Sequence, residues 1–432
     1  MASQETQEKQ SSSNVNIFKF WKAQQTVWKV TVIRTSLERF GYKLVLPYLS
    51  LYIILMGATK TQLGLVTSMG LIAAGLLGPF LGRHIDQHGP KKMYILGISV
   101  LAGGYVAFAG AHVWQVAALG MFLHQMGAAL GGQSCANICG NCLANCDRAK
   151  GMLVCETFAA GALGMIAPML SGWILVNLMG VKGTPTDPNQ IRPLFGITLV
   201  FTIISLLVII FKLDVKTWGT NSKPKNNVFK DGLTILKNDK NCRKWIIAAA
   251  VGRLPMAMVI PYLQLYAAQV RGANAATLAA MTTATALTSV CCGFYFGVLS
   301  DKIGRKKTLS LTIALYIIGL ILLITVKNNL ILILVGILAG FQEIGMTLSG
   351  SMQHELVPAK VRGRWSGVNS FTGSMISAGV AAVTGMVYDN LGPQWVFLIY
   401  MACEVLIRIP LLFSIPETLT YKVDEANFAE LD

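Results

Sequence analysis

The chain has 432 residues, of which 53% are hydrophobic and 13% charged, a balance too apolar for a soluble enzyme of this length. Its 42 glycines lie among long apolar stretches, which suits closely packed membrane helices and disfavours a barrel of alternating strands. The net charge of +16 is carried by short Lys/Arg clusters between apolar runs, so it reads as membrane topology rather than nucleic-acid binding.

Residues 1–22 form a polar N-terminal tail with no signal-peptide pattern. Six apolar runs of spanning length follow: Val30 to Met56, Leu63 to Ile85, Met93 to His112, Val116 to Leu143, Met152 to Asn177 and Pro193 to Leu213. Together they make an N-terminal six-helix bundle over 23–213. A polar, Lys-rich stretch with Pro224, Asn226 and Asn227 makes 214–243 a linker at the membrane surface. Six more runs fill a C-terminal bundle over 244–416: Trp245 to Ala267, Thr277 to Leu299, Thr308 to Val326, Leu330 to His354, Ser366 to Tyr388 and Pro393 to Ile415. Residues 417–432 are a short tail. The expected fold is all-α, with twelve transmembrane helices in two bundles. With the N-terminus inside, most of the 36 Lys and Arg residues fall on the cytoplasmic side and only 5 outside, namely Lys60, Lys182, Arg192, Arg271 and Lys327. Both termini are therefore expected in the cytoplasm. Trp21, Trp28, Trp218 and Trp245 lie near span ends, as interfacial aromatics do.

The sequence repeats itself. Leu46-Pro47-Tyr48-Leu49-Ser50-Leu51-Tyr52 in span one recurs as Ile260-Pro261-Tyr262-Leu263-Gln264-Leu265-Tyr266 in span seven, an offset of 214. The loop Gly82-Arg83-His84-Ile85-Asp86-Gln87-His88-Gly89-Pro90-Lys91-Lys92 recurs as Gly297-Val298-Leu299-Ser300-Asp301-Lys302-Ile303-Gly304-Arg305-Lys306-Lys307, an offset of 215. Two independent matches at nearly one offset indicate duplication of a six-helix unit. Six is even, so the two copies share one orientation, the parallel repeat of alternating-access transporters.

Those loops, the six-plus-six spans and the basic linker resemble the major facilitator superfamily over essentially the whole chain. The second loop matches the family pattern throughout, whereas the first has Gln87 and Pro90 where basic residues are usual. The resemblance implies two pseudo-symmetric bundles rocking about a central site, with gating residues Gly82, Asp86, Gly89, Lys91, Gly297, Asp301, Gly304 and Arg305. The loop also has a physical rationale. Gly82 and Gly297 would permit close helix approach, Gly89 and Gly304 a tight turn, and an Asp among Lys and Arg a breakable charge cluster.

Ionisable side chains within spans are costly, by about 2.5 to 3.5 kcal/mol on insertion scales, and so are functional candidates. Span one carries Arg34, Glu38, Arg39 and Lys43. At 100° per residue Ser36, Arg39, Lys43 and Ser50 share a face that can look into the bundle, and Glu38 lies aside from it, within reach of Arg34 or Tyr42. The 214 offset carries Arg39 onto Arg253 and Ser50 onto Gln264. Two arginines from related helices can clamp an anion, since each guanidinium is a planar donor fork. Similar arginines, each eight residues before a proline, occur in the organophosphate/phosphate antiporters of the superfamily. Equally, both could cap carbonyls or snorkel. Glu343, near the middle of span ten with Thr347, Gly350 and His354 on its face, could load and release a coupling proton. Alternatively it is held in an ion pair with Arg39, Lys43 or Arg253. Glu38 is the second proton-coupling candidate, and Glu404 and Arg408, four apart in span twelve, are expected to neutralise each other.

Span four adds His124 and Gln125 to the candidate substrate contacts, which are Arg39, Lys43, Ser50, Arg253 and Gln264. Cys135, Cys139, Cys142 and Cys146 share one face but extend about 16 Å along the axis, too far to surround one tetrahedral ion. They read as packing, and neither a metal nor another cofactor is expected. Span five's Gly164, Pro168 and Gly172, at intervals of four, partly resemble the glycine-and-proline motif of the superfamily's antiporters. No nucleotide-binding loop or catalytic constellation is evident, which disfavours ATP-driven transport and catalysis. The sequence thus points to a monomeric secondary transporter in the plasma (inner) membrane, surrounded by lipid, moving a small organic anion by proton coupling or exchange. An efflux carrier for amphipathic compounds and a non-transporting sensor of the same fold are the competing readings.

Overall fold

The computed structural model describes residues 21–22, 24–88, 90–142, 161, 163–213, 234–358 and 361–421, with side chains of 78–88, 90, 133, 136–137, 139–142 and 363–364 outside that set. Twelve helical segments are present among the described residues. In the first half they are α1 (Thr26–Val45, a 3-10 turn Leu46–Tyr48, then Leu49–Leu55), α2 (Lys60–His88), α3 (Pro90–Gly110), α4 (Trp114–Cys142), α5 (Leu163–Trp173 with a π turn Ile174–Leu178) and α6 (Pro188–Lys212). In the second half they are α7 (Lys240–Leu254, a π turn Pro255–Val259, then Ile260–Gln269), α8 (Ala275–Ile303), α9 (Arg305–Thr325), α10 (Asn329–Glu355), α11 (Arg362–Asn390) and α12 (Pro393–Cys403, a π turn Glu404–Arg408, then Ile409–Ser414). Nine are long and apolar enough to cross a membrane by themselves. α1 is whole in length but divided by Pro47, whose missing N–H breaks the helical ladder.

Local chemistry sets the helix ends. Asp187 and Gln190 form a capping box at the start of α6, and the Asn274 and Asn328 side chains accept from Thr277 N and Leu330 N. Asp239 accepts from Asn241 N and Cys242 N, so α7 starts at Lys240, inside the stretch read from sequence as linker. Gly304 turns between α8 and α9 at φ 101°, the left-handed geometry that glycine adopts without strain.

The halves meet along two pseudo-symmetric seams. In one, α2 lies on α11: an added Cβ at Gly385 would collide with the Lys60 carbonyl and Thr61, and one at Gly75 would meet Ser374. In the other, α8 lies on α5: a Cβ at Gly172 would meet Ala279 and Ala276, and one at Gly161 would meet Val290. Glycine lets the helices approach this closely, which is how packing holds membrane bundles together. Between the seams the largest buried cluster joins α1 residues such as Tyr48 and Tyr52 to α7 residues such as Tyr262 and Tyr266.

Two expectations change here. Trp28 and Trp245 are 0% and 1% exposed, packed inside the protein rather than facing the interface. Gly297 has open space where a Cβ would stand, so no close helix approach requires it. Its carbonyl instead accepts the Ser300 hydroxyl at 2.6 Å.

Candidate functional site

The ionisable residues of α1 separate into two groups. Arg34 is buried, forms an ion pair with Glu38 one turn along, and donates to the Tyr94 hydroxyl at 3.0 Å while lying over its ring. Glu38 is therefore occupied within the first half. Lys43, whose stem passes Gly164 of α5, reaches the other way, and its Nζ lies 3.2 Å from Glu343 Oε1 of α10. This ion pair spans the two halves. Both members keep solvent access, with side chains 16% and 35% exposed.

From Glu343 a polar stripe continues along α10. Thr347 donates to the Glu343 carbonyl, Ser351 lies 3.5 Å from the Thr347 carbonyl, and Thr347 and His354 are exposed. The stripe links the bridge to the end of the bundle that carries the duplicated loops. Arg39, also exposed, stands one turn before Lys43 on α1.

Arg253 lies against Gly373 of α11 and donates from Nη1 to the Ser370 carbonyl at 3.3 Å, leaving it half-buried between α7 and α11. Gln264 donates to Thr282 Oγ1 at 3.1 Å and holds a buried Oε1 without a hydrogen bond. Ser50, its counterpart, is half-buried on α1. His124 is stacked on Tyr42 with ring centres 4.9 Å apart and meets Tyr105 edge-on, behind α1. Gln125 packs its stem on Gly70 of α2.

At the loop end the second copy forms a network. Arg305 bridges Asp301 at 3.0 Å and Glu355 at 3.3 Å, and donates to Ser300 Oγ at 2.7 Å. Glu417 accepts from the Arg305 and Lys306 amides and so caps α9, the favoured place for a carboxylate at a helix start. Glu355 and Glu417 were missed by the sequence reading. A carboxylate ending α10 and one following Pro416 offer no periodic signal, and only the fold brings them to Arg305. In the first copy Lys91 donates to the Ile210 carbonyl at the end of α6. Gly89 and the side chain of Asp86 lie outside the described residues, as does the detail around Gly82. Cys135 is buried 3.7 Å from Thr35 Oγ1, while the side chains of Cys139, Cys142 and Cys146 are likewise outside the described set.

Glu404 and Arg408 pair within the α12 π turn at 3.0 Å, and Tyr400 also donates to Glu404. At 0% and 2% exposure they are sealed from the site, and the Arg408 guanidinium fills the space beside Gly252.

Two seams of duplicated helices flanking an ion pair between the halves make the architecture specific enough to compare. Residues 32–274 and 245–428 each match the Major Facilitator Superfamily. The chain belongs to that superfamily. It is a multi-pass membrane transporter and not an enzyme. The multidrug resistance protein MdtG of Escherichia coli is 24% identical over 300 residues, 65% of this chain and 69% of that protein. Among solved structures, the nucleoside transporter NupG superimposes with TM-score 0.67 at 16% identity, over 92% of this chain and 100% of that one. A D-xylose–proton symporter gives 0.68 at 13% identity, over 92% and 99%. The human organic anion transporter TETRAN gives 0.63 at 15% identity, over 90% and 99%. Likeness at these identities concerns the fold.

Proposed function

We propose that this superfamily member is a secondary transporter of a small organic anion, coupled to protons or working by exchange, with both termini in the cytoplasm. The observation that carries the reading is the Lys43–Glu343 pair across the halves. In this reading Arg39 and Lys43 of α1 and Arg253 of α7 supply the positive charge, and Glu343 is the acidic group that Lys43 holds. An anionic substrate competes with Glu343 for Lys43. Protonating Glu343 removes the competitor, so proton uptake and anion binding reinforce each other. In this reading the proton reaches Glu343 from the Lys-rich end along the face of α10 that carries Thr347, Ser351 and His354. Substrate then sits between Lys43 and the arginines, whose guanidinium forks suit a carboxylate or phosphate.

Proteoliposome uptake of radiolabelled organic anions and hydrophobic cations, with an imposed pH gradient, tests this. Anion accumulation that collapses with the gradient is expected. Similarity to MdtG favours a second reading, efflux of amphipathic compounds. Transport of hydrophobic cations with no response to anions would replace the anion reading with that one.

A further inference from the structure

The Pro-Tyr-Leu repeat that reveals the duplication has a structural role that neither the Lys43–Glu343 bridge nor the duplicated loops explain. Tyr48 of α1 donates its hydroxyl to the carbonyl of Ala275, the first residue of α8 in the opposite half, at 2.7 Å. Tyr262 of α7 donates to the carbonyl of Lys60, the first residue of α2 in the opposite half, at 3.0 Å. The tyrosines are related by the 214 offset and their acceptors by the 215 offset, so each half offers the same hydroxyl to the same helix start of the other. Both rings are 0% exposed.

We propose that Tyr48 and Tyr262 are a matched pair of gate residues that fasten the end of the bundle opposite the duplicated loops. Opening that end must break both bonds, whereas Ser171, the other partner of the Tyr48 hydroxyl, belongs to the same half and moves with it, and the rings otherwise make packing that a Phe would retain. The two bonds between the halves therefore stabilise the closed end and are lost from the open one, and such a differential contact is what biases an alternating equilibrium. Around this pair the two seams are finished differently. Asp389 of α11 accepts from Thr61 N and Oγ1 at 2.9 and 2.8 Å, capping α2 from the other half. At α8, Ala275 N donates to the Gly183 carbonyl at 2.9 Å and Thr184 Oγ1 to the Ala273 carbonyl at 2.8 Å. The amides of Thr61 and Ala275 are thus protected by groups of the opposite half, and their exchange with solvent deuterium reports opening.

Hydrogen–deuterium exchange on the full chain in lipid nanodiscs, read on peptides covering Thr61 and Ala275, tests the proposal. Tyr48→Phe and Tyr262→Phe should each speed exchange in both peptides by about 2- to 12-fold, the range for losing one hydrogen bond, with unchanged melting temperature. The double variant should approach the product of the two, roughly 4- to 140-fold, because the two bonds are made to different helices. Asp389→Ala, a control that spares both rings, should expose the Thr61 peptide more than the Ala275 peptide. Native exchange in a double variant that melts normally would overturn the gate. So would faster exchange along the whole of α2 and α8 with a lowered melting temperature, which marks the tyrosines as structural only.

Discussion

Lys43 and Glu343 stand on opposite halves of the molecule and meet at 3.2 Å, so any motion that draws the halves apart at this level breaks the pair. A partly exposed pair of this kind contributes about 1 kcal/mol, roughly a fivefold bias between states. That is enough to favour one conformation and weak enough for a proton or a substrate anion to release it.

Replacing Glu343 by Gln fixes the neutral form and frees Lys43. Accumulation driven by a pH gradient should be lost, while counterflow exchange of pre-loaded substrate persists. Both are measured in the same proteoliposomes. Full retention of gradient-driven uptake would move coupling away from Glu343, and Glu38 is then a poor substitute because Arg34 already holds it.

The arginines differ in what a lysine would preserve. At Arg253, Lys can still reach a carbonyl such as that of Ser370, but it cannot offer a second parallel donor to an anion. Arg253→Lys and Arg39→Lys should therefore weaken substrate affinity by about 1.5 to 3 kcal/mol, roughly tenfold to a hundredfold, with folding yield unchanged. Competition binding with the purified variants checks this. Native affinity in both would leave the arginines as braces between helices.

The loop-end network yields a graded expectation. Asp301 is 61% exposed at its side chain and shares Arg305 with Ser300 and Glu355. Asp301→Asn should reduce transport with normal membrane insertion, and Arg305→Ala should reduce it further, since it removes three contacts at once. Initial transport rates normalised to protein in the vesicle give the ranking. Equal rates in Asp301→Asn and the native chain would end the gating role of that carboxylate.

Much of this arrangement is legible in the residues themselves. Apolar runs of spanning length, two repeats at nearly one offset and the Arg305 loop specify the helices and their duplication, because membrane thickness and backbone hydrogen bonding leave few alternatives. Helical phase also sets Lys43 apart from Glu38. It could not choose the partner of Glu343 among three cations, since that depends on how far the halves have rocked. Nor could it foresee Asp389 capping α2, 328 residues away, or Glu417 capping α9, because caps supplied from elsewhere in the chain carry no local pattern. Gly297 shows the opposite failure: a motif glycine with open space where a Cβ would stand.

The Glu404–Arg408 pair offers a prediction independent of substrate. Both groups are sealed in α12, Tyr400 supplies a further hydrogen bond, and Arg408 lies against the Gly252 backbone of α7, so the pair joins α12 to α7 behind the site. Removing one partner strands the other as an unpaired charge among apolar helices, at a cost of about 3 to 5 kcal/mol. Glu404→Gln or Arg408→Met alone should therefore lower the melting temperature in detergent and the yield of folded protein. Glu404→Leu combined with Arg408→Met leaves no charge behind and should recover most of that loss, because hydrophobic replacement of a buried pair is often neutral or better. Transport in the double variant should be close to native, since neither residue reaches Lys43 or Glu343. If the double variant instead folds well but no longer transports, the pair takes part in the transport cycle.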